Sequence, residues 1–315
     1  MRIRLAHSFT HASFCDERSD QLHSHSNSFS KKMDGFLTGG QVYRPNIRRK
    51  MMFETNERLE RLKRKIAAKK TVTGCFVLLS DPSVSEMVGM AGCDFVWIDS
   101  EHGMFDRTTI KNHIVYAQCA GACAFVRVPG VDPDQVKCIL DCGPDGIIFP
   151  NVTSREMAEK AVKACTYPTE GGVRGVGPGR VIKYGIESEA EYLEKGKDFI
   201  WKIFQIESLE GVENLQQIAE VDGFHSLFVG PADLSMSMRA CHVPESEISE
   251  KISEIQALCG EIAAKNGKFS GSCAEPDKFS CQQLINRGIQ WMTIGQDMRL
   301  ISTALAEAVR KINKD

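Results

Sequence analysis

Ile200-Trp201-Lys202-Ile203-Phe204-Gln205-Ile206 runs into Glu207-Ser208, and Ser226-Leu227-Phe228-Val229-Gly230 runs into Pro231-Ala232-Asp233. Both runs are short, apolar, and rich in β-branched and aromatic residues, so each reads as a buried strand. An amphipathic stretch lies between them, which makes the pair a strand–helix–strand unit with parallel strands. Parallel strands deliver their C-terminal ends to one edge, so Glu207 and Asp233 meet there. Two acids at such a rim are a natural seat for a hard divalent cation.

Outward from this unit the alternation continues. Candidate strands fall at 74–79, 94–99, 123–128, 145–150, 200–206, 226–230, 268–273 and 290–294. Helical periods fall at 82–91, 107–120, 132–142, 154–165, 187–196, 211–221, 247–266 and 276–287. Two more helices flank the set: one over 53–69 with Leu59, Leu62 and Ile66 on one face, and one at 298–313. Eight strands alternating with helices predict an α/β chain folded as a closed (β/α)8 TIM barrel, with an extra helix at each end. An open doubly wound sheet would carry Gly-x-Gly-x-x-Gly after its first strand, and this sequence has none there.

Composition excludes several classes. The chain has 315 residues, is 42% hydrophobic and carries a net charge of −2, which gives no electrostatic case for nucleic acid. No apolar stretch is long enough to span a bilayer. The twelve cysteines include no Cys-x-x-Cys pair, and Cys75, Cys123, Cys138 and Cys259 lie within apolar or helical patterns. Reduced thiols in a cytoplasmic setting are expected. Residues 1–50 differ from the rest: they hold nine Lys/Arg against four Asp/Glu and include His23-Ser24-His25-Ser26-Asn27-Ser28. They are expected to be a disordered tail or a start called too early before Met51-Met52, with His23 and His25 solvated. Organellar targeting is weakly supported, because Asp16, Glu17 and Asp20 interrupt the basic, Ser-rich pattern. Residues 51–315 are then one barrel domain.

If the strands are right, one rim gathers Asp99, His102, Arg127, Gln205, Glu207 and Asp233. Read alone, Glu207 would also suit a helix start, Asp233 an N-cap or turn, Arg127 a structural ion pair and His102 a core histidine. Together, a metal pair, a His–Asp pair and a fixed cation suit a substrate that becomes an anion in the transition state.

Four motifs sharpen this. Asp99-Ser100-Glu101-His102, Val126-Arg127-Val128-Pro129, Gln205-Ile206-Glu207 and Gly230-Pro231-Ala232-Asp233-Leu234-Ser235 stand in this order along residues 54–312. In that combination the chain resembles the HpcH/HpaI aldolase family, metal-dependent (class II) pyruvate aldolases of the phosphoenolpyruvate/pyruvate barrel superfamily. The family includes 4-hydroxy-2-oxo-heptanedioate and 2-dehydro-3-deoxyglucarate aldolases. The resemblance implies retro-aldol cleavage of a 4-hydroxy-2-oxo acid to pyruvate and an aldehyde. It implies Glu207 and Asp233 as ligands of a divalent cation, Mg²⁺ or Mn²⁺ and possibly Co²⁺. It further implies that Gln205 and the backbone around Ala232 hold the substrate's oxo and carboxylate oxygens. Arg127 would stabilise the enolate, and His102, oriented by Asp99, would assist proton transfer. Whether His102 or a hydroxide it activates takes the 4-hydroxyl proton stays open. The resemblance also implies a homo-oligomer, a hexamer, in which helix 298–313 bridges protomers.

Some residues stand outside that set. Glu101 is expected to be an ion-pair partner. The stretch Gly171-Gly172-Val173-Arg174-Gly175-Val176-Gly177-Pro178-Gly179-Arg180 reads as a mobile rim loop able to meet an anion, or as a purely structural one. Asn151 departs from the apolar residue expected there. His113, His225 and His242 are expected to be packing or solvent-facing. Two rivals remain: a lyase for malyl- or citramalyl-CoA, and a non-catalytic keto-acid-binding barrel.

Overall fold

The computed structural model describes residues 55–177, 179–186, 188–195 and 200–313; the expectations for residues 1–50 lie outside it. Helix α1 (Thr55–Ala67) comes first. There follow β1 (Val72–Val77), α2 (Ser83–Met90), β2 (Phe95–Asp99), α3 (Arg107–Cys119), β3 (Cys123–Arg127), α4 (Pro133–Asp141), β4 (Gly146–Phe149) and α5 (Arg155–Cys165). After two short 3₁₀ segments the chain continues through α6 (Glu189–Lys195), β5 (Trp201–Ile206), α7 (Leu209–Glu213), α8 (Leu215–Ala219) and β6 (Ser226–Val229). It ends with α9 (Pro231–Ala240), α10 (Glu245–Lys265), β7 (Phe269–Cys273), α11 (Lys278–Asn286), β8 (Trp291–Gln296) and α12 (Asp297–Ile312). The eight strands are parallel and close in sequence order, β8 pairing with β1 through Val72↔Trp291 and Thr73↔Met292. The predicted (β/α)8 barrel is the observed fold.

The period of two along each strand divides the apolar residues between two cores. Val96, Ile98, Ala124, Val126, Ile147, Phe204, Ile206, Leu227 and Val229 face outward and pack under the helices. Phe95, Trp97, Phe125, Trp201, Phe228 and Trp291 fill the interior, with ring centroids such as Trp97–Phe228 4.8 Å and Phe125–Trp201 5.9 Å apart. Strand glycines make room for these rings. A Cβ on Gly74 would stand 2.3 Å from the Phe95 ring, and one on Gly271 2.5 Å from Trp291 and 2.6 Å from Phe228.

The N-terminal end of the barrel is closed by α1, whose Leu59, Leu62 and Ile66 join the interior cluster. Arg58 anchors it: Nη2 donates to Asp145 Oδ1 at 2.9 Å, just before β4. Asp145 also accepts from Gln118 Nε2 (2.8 Å) and the Ala124 N–H (2.9 Å), so this buried pair is well satisfied.

Several boundaries differ from the expectation. The first strand begins at Val72 and stops at Val77, because the N–H groups of Leu78 and Leu79 donate to Asp297 Oδ2 at 2.9 Å instead of joining a ladder. The helix expected over 211–221 is two short ones broken at Asn214, whose amide donates to the Thr153 carbonyl at 2.8 Å. Helix α9 was not anticipated: Pro231-Ala232-Asp233 looks like a turn, yet Pro231 starts the helix at a position where its missing N–H costs nothing. The glycine-rich stretch is not at the C-terminal rim. It follows α5, so it lies at the opposite end, where Arg174 is buried 3.8 Å from Asp141 and stacked 4.6 Å from the Tyr167 ring. Arg180 donates there to the carbonyls of Cys142 and Gly143 at 3.2 Å. Every described cysteine is free, and no described helix is long and apolar enough to cross a membrane.

The fit of glycine to ring yields a test. Gly271→Ala should destabilise the barrel by about 1–3 kcal/mol, since the new methyl must displace Trp291 or Phe228. Urea denaturation followed by tryptophan fluorescence measures it, and an unchanged midpoint would mean the rings yield freely.

Candidate active site

The C-terminal rim is built on strand register. Asp99 ends β2 directly opposite Arg127, which ends β3. Both point inward, above the aromatic layer. Arg127 Nε donates to Asp99 Oδ1 at 3.0 Å and Nη2 to Oδ2 at 2.5 Å, a two-pronged pair that fixes the guanidinium plane. Its carbon sits 5.8 Å from the Phe76 ring centroid and 5.7 Å from that of Trp97. Burial works against the Arg127 charge, but Asp99, Glu101 and Glu207 hold it more firmly protonated than usual.

From Arg127 the polar chain continues. Nη1 donates to Gln205 Oε1 at 3.3 Å, and Gln205 Nε2 donates to Glu207 Oε2 at 2.5 Å. The other oxygen of Glu207 accepts the main-chain N–H of Asn151 at 2.8 Å. Four strand ends thus tie into one network through Asp99, Arg127, Asn151 and the Gln205–Glu207 pair. Asp233 stands in the first turn of α9, exposed to the cavity, with Ala232 beside it. A helix's first N–H groups have no partner inside the helix, and Pro231 has none to offer, so those that follow it are free to bind an anion.

Two carboxyl groups are shifted. Burial pushes Glu207 up to about 7, against the Asn151 N–H and Arg127, and the neighbouring charges of Asp233 and Glu101 add to the rise. Burial also raises Glu101, opposed by Arg127 and His102. A cavity of about 1030 Å³ opens above, lined by Phe76, Arg127, Gln205, Ala232 and Asp233 among others.

The pairing expected between Asp99 and the His102 ring is not present. Asp99 gives both oxygens to Arg127 and otherwise accepts main-chain N–H groups, of Glu101 at 3.1 Å and His102 at 3.3 Å. The His102 side chain is 60% exposed, and its Nε2 lies 3.8 Å from Glu101 Oε2. The reason is register: a strand-end carboxylate faces the neighbouring strand, while His102, three residues on, has already turned outward into the cavity mouth. Glu101 is an ion-pair partner, as expected, and its partner is Arg127, whose Nη1 lies 3.0 Å from Glu101 Oε2 at the rim. Of the other histidines, His113 is buried against Ser85 Oγ at 2.8 Å, and His225 accepts the Lys202 N–H at 3.1 Å.

The donor set fits a hard cation. Asp99 and Glu101 are drawn to Arg127, which leaves Glu207 and Asp233, whose charges bear on one another across the rim, to meet a cation. All are oxygen donors, which suits Mg²⁺ or Mn²⁺ over softer ions. Gly230 leaves space beside Glu207: a Cβ there would lie 2.5 Å from its Oε2. Among the described residues no group of three or more His, Cys, Asp or Glu is placed to hold a metal.

The sequence and the shape of this barrel both have known counterparts. The HpcH/HpaI aldolase/citrate lyase family model matches residues 72–302. A 5-keto-4-deoxy-D-glucarate aldolase of Escherichia coli O6:H1 (strain CFT073) is 31% identical over 255 residues, covering 80% of this chain and 97% of that protein. An HpcH/HpaI aldolase from Desulfitobacterium hafniense DCB-2 is 29% identical with a TM-score of 0.73, over 81% of this chain and 97% of its own. The citrate synthase SbnG is 28% identical with a TM-score of 0.68, over 80% of this chain and 99% of its own. With its barrel and most of its length matched in this way, the chain belongs to the HpcH/HpaI aldolase/citrate lyase family of carbon–carbon lyases.

Proposed function

We propose that this enzyme catalyses reversible, metal-dependent retro-aldol cleavage of a 2-keto-3-deoxy sugar acid, a 4-hydroxy-2-oxo acid, to pyruvate and an aldehyde. The observation that carries the reading is the network from Asp99 through Arg127 and Gln205 to Glu207, with Asp233 and the start of α9 beside it. A divalent cation of the Mg²⁺ or Mn²⁺ type, with Co²⁺ also acceptable, would be held by Glu207 and Asp233 and would polarise the 2-oxo group as a Lewis acid. The N–H groups of Ala232 and Asp233 bind the substrate carboxylate at the helix start. Gln205, already bridging Arg127 and Glu207, orients the oxo end.

Arg127 carries the enolate step. Its guanidinium is fixed before substrate arrives, so negative charge developing on the pyruvate oxygen meets a preorganised cation that need not move. Asp99 is the positioning residue that holds it. His102, open to the cavity mouth with Glu101 Oε2 3.8 Å from its Nε2, takes the proton of the 4-hydroxyl group. The protein also forms homo-oligomers. Helix α12 supports this: Ile301, Leu305, Val309 and Ile312 form one stripe along it and are 49–80% exposed.

The deciding experiment is pyruvate release from 4-hydroxy-2-oxo acids with EDTA and with Mg²⁺ or Mn²⁺ restored. Metal-restored turnover is expected; turnover in EDTA would remove the cation from the mechanism, and none on any keto acid would favour a binding role. Glu207→Gln and Asp233→Asn should each lower kcat on the order of 10²–10³-fold while leaving the circular dichroism spectrum unchanged. Arg127→Lys should lose proton exchange at the pyruvate methyl group, because one ammonium cannot replace a guanidinium that spans Asp99 and Gln205.

The Glu207 shift gives a pH signature. Its folded value, about 7, exceeds the ordinary 4.5, so the metal-free chain holds this proton more tightly than the unfolded chain does. The resulting stability is full below 4.5 and is lost as pH rises through 7, on the order of 3 kcal/mol. Comparing the metal-free wild type with Glu207→Gln across that range isolates the effect; identical pH slopes would show that Glu207 is not shifted. Leu305→Glu with Val309→Glu should yield smaller species in sedimentation velocity, and an unchanged profile would remove α12 from the interface.

A further inference from the structure

We propose that Asn151 is a positioning residue for Glu207: its left-handed backbone aims a main-chain N–H at the carboxylate and decides which lone pairs face the cation. The inference rests on Glu207 being a metal ligand. The backbone is the first observation. Asn151 has φ +45°, a region that only glycine enters freely and that Asn tolerates better than most residues. Lys69, Tyr184 and His242 share a positive φ, but their N–H groups donate to main-chain carbonyls, of Ile66, Gly179 and Arg239, as turn and helix ends do. The Asn151 N–H instead donates to Glu207 Oε1 at 2.8 Å.

The second observation is how completely this fixes the carboxylate. Gln205 Nε2 takes Oε2 at 2.5 Å while Asn151 takes Oε1, so each oxygen has one direction committed to the protein and one left over. The Val152 N–H donates to the Gln205 carbonyl at 3.0 Å, which ties the segment after β4 to β5 on both sides of Asn151's turn. The Asn151 side chain is exposed. The residue is therefore suited to its backbone conformation, and the chemistry is delivered by the peptide N–H. Outer groups that hold a ligand in this manner commonly control metal affinity.

The test is Mn²⁺ binding to the full-length, metal-stripped protein, read from the electron paramagnetic resonance of free Mn²⁺, with thermal melts alongside. Asn151→Gly keeps the left-handed backbone and should bind within about twofold of wild type. Asn151→Ala and Asn151→Val disfavour it and should bind on the order of tenfold more weakly. Ala is the milder change and serves if the Val variant fails to fold. Wild-type affinity in the Ala variant, even with a lowered Tm, would make Asn151 a turn residue only and overturn the proposal. Glu207→Gln is the control: loss of Mn²⁺ there upholds the ligand assignment independently, whereas undiminished binding would defeat that assignment and this inference with it.

Discussion

The C-terminal end of this barrel is arranged around one buried charge. Arg127 is only 6% exposed and stands on an aromatic floor, a place where an unpaired guanidinium would be severely destabilising. Asp99 makes the position tenable by meeting it through two hydrogen bonds from the adjacent strand. That register, Asp99↔Arg127, is itself set by the alternation that sends Phe95, Trp97 and Phe125 into the same interior. A slip of one residue would turn all of these to the wrong face. The ion pair and the aromatic core therefore specify each other, and the rest of the site is built outward from the guanidinium's free edge.

Much of this was legible in the sequence, and the misses have definite causes. Strand–helix alternation, the barrel and the acids at strand ends follow from periodicities that local sequence carries directly. The join of Asp99 to Arg127 instead of His102 does not, because it depends on which residue lies across the sheet, 28 positions away. The end of β1 was misplaced for a similar reason: its last apolar residues are claimed by Asp297, more than 200 positions away. Pro231-Ala232-Asp233 concealed a helix, since the residues that begin helices also make turns. The arginines of the glycine-rich loop suggest a rim anion site, but they lie at the far end, Arg174 against Asp141 and Tyr167 and Arg180 donating to main-chain carbonyls.

The two ends of the barrel solve the burial of charge in opposite ways. At the N-terminal end Arg58 and Asp145 neutralise each other, and the remaining capacity of Asp145 is filled by Gln118 and the Ala124 N–H. At the C-terminal end the acids outnumber the bases, and Glu207 is pushed to about 7 by burial and by its acidic neighbours. Such an excess is unfavourable for folding alone. Under the proposed function, a divalent cation on Glu207 and Asp233 would offset it.

This asymmetry explains why the Glu207 carboxylate is so heavily constrained. A carboxylate free to rotate could relieve repulsion by swinging toward Arg127, satisfying itself and abandoning the open position beside Gly230. Hydrogen bonds from Asn151 and Gln205 prevent that escape, and Gln205 in turn keeps Arg127 directed at the cavity. The absence of a side chain at Gly230 preserves the gap that the restrained oxygen faces. Glu207 is thus held in one orientation by two hydrogen bonds, and in the proposed reaction that orientation is what a cation and the keto acid would meet.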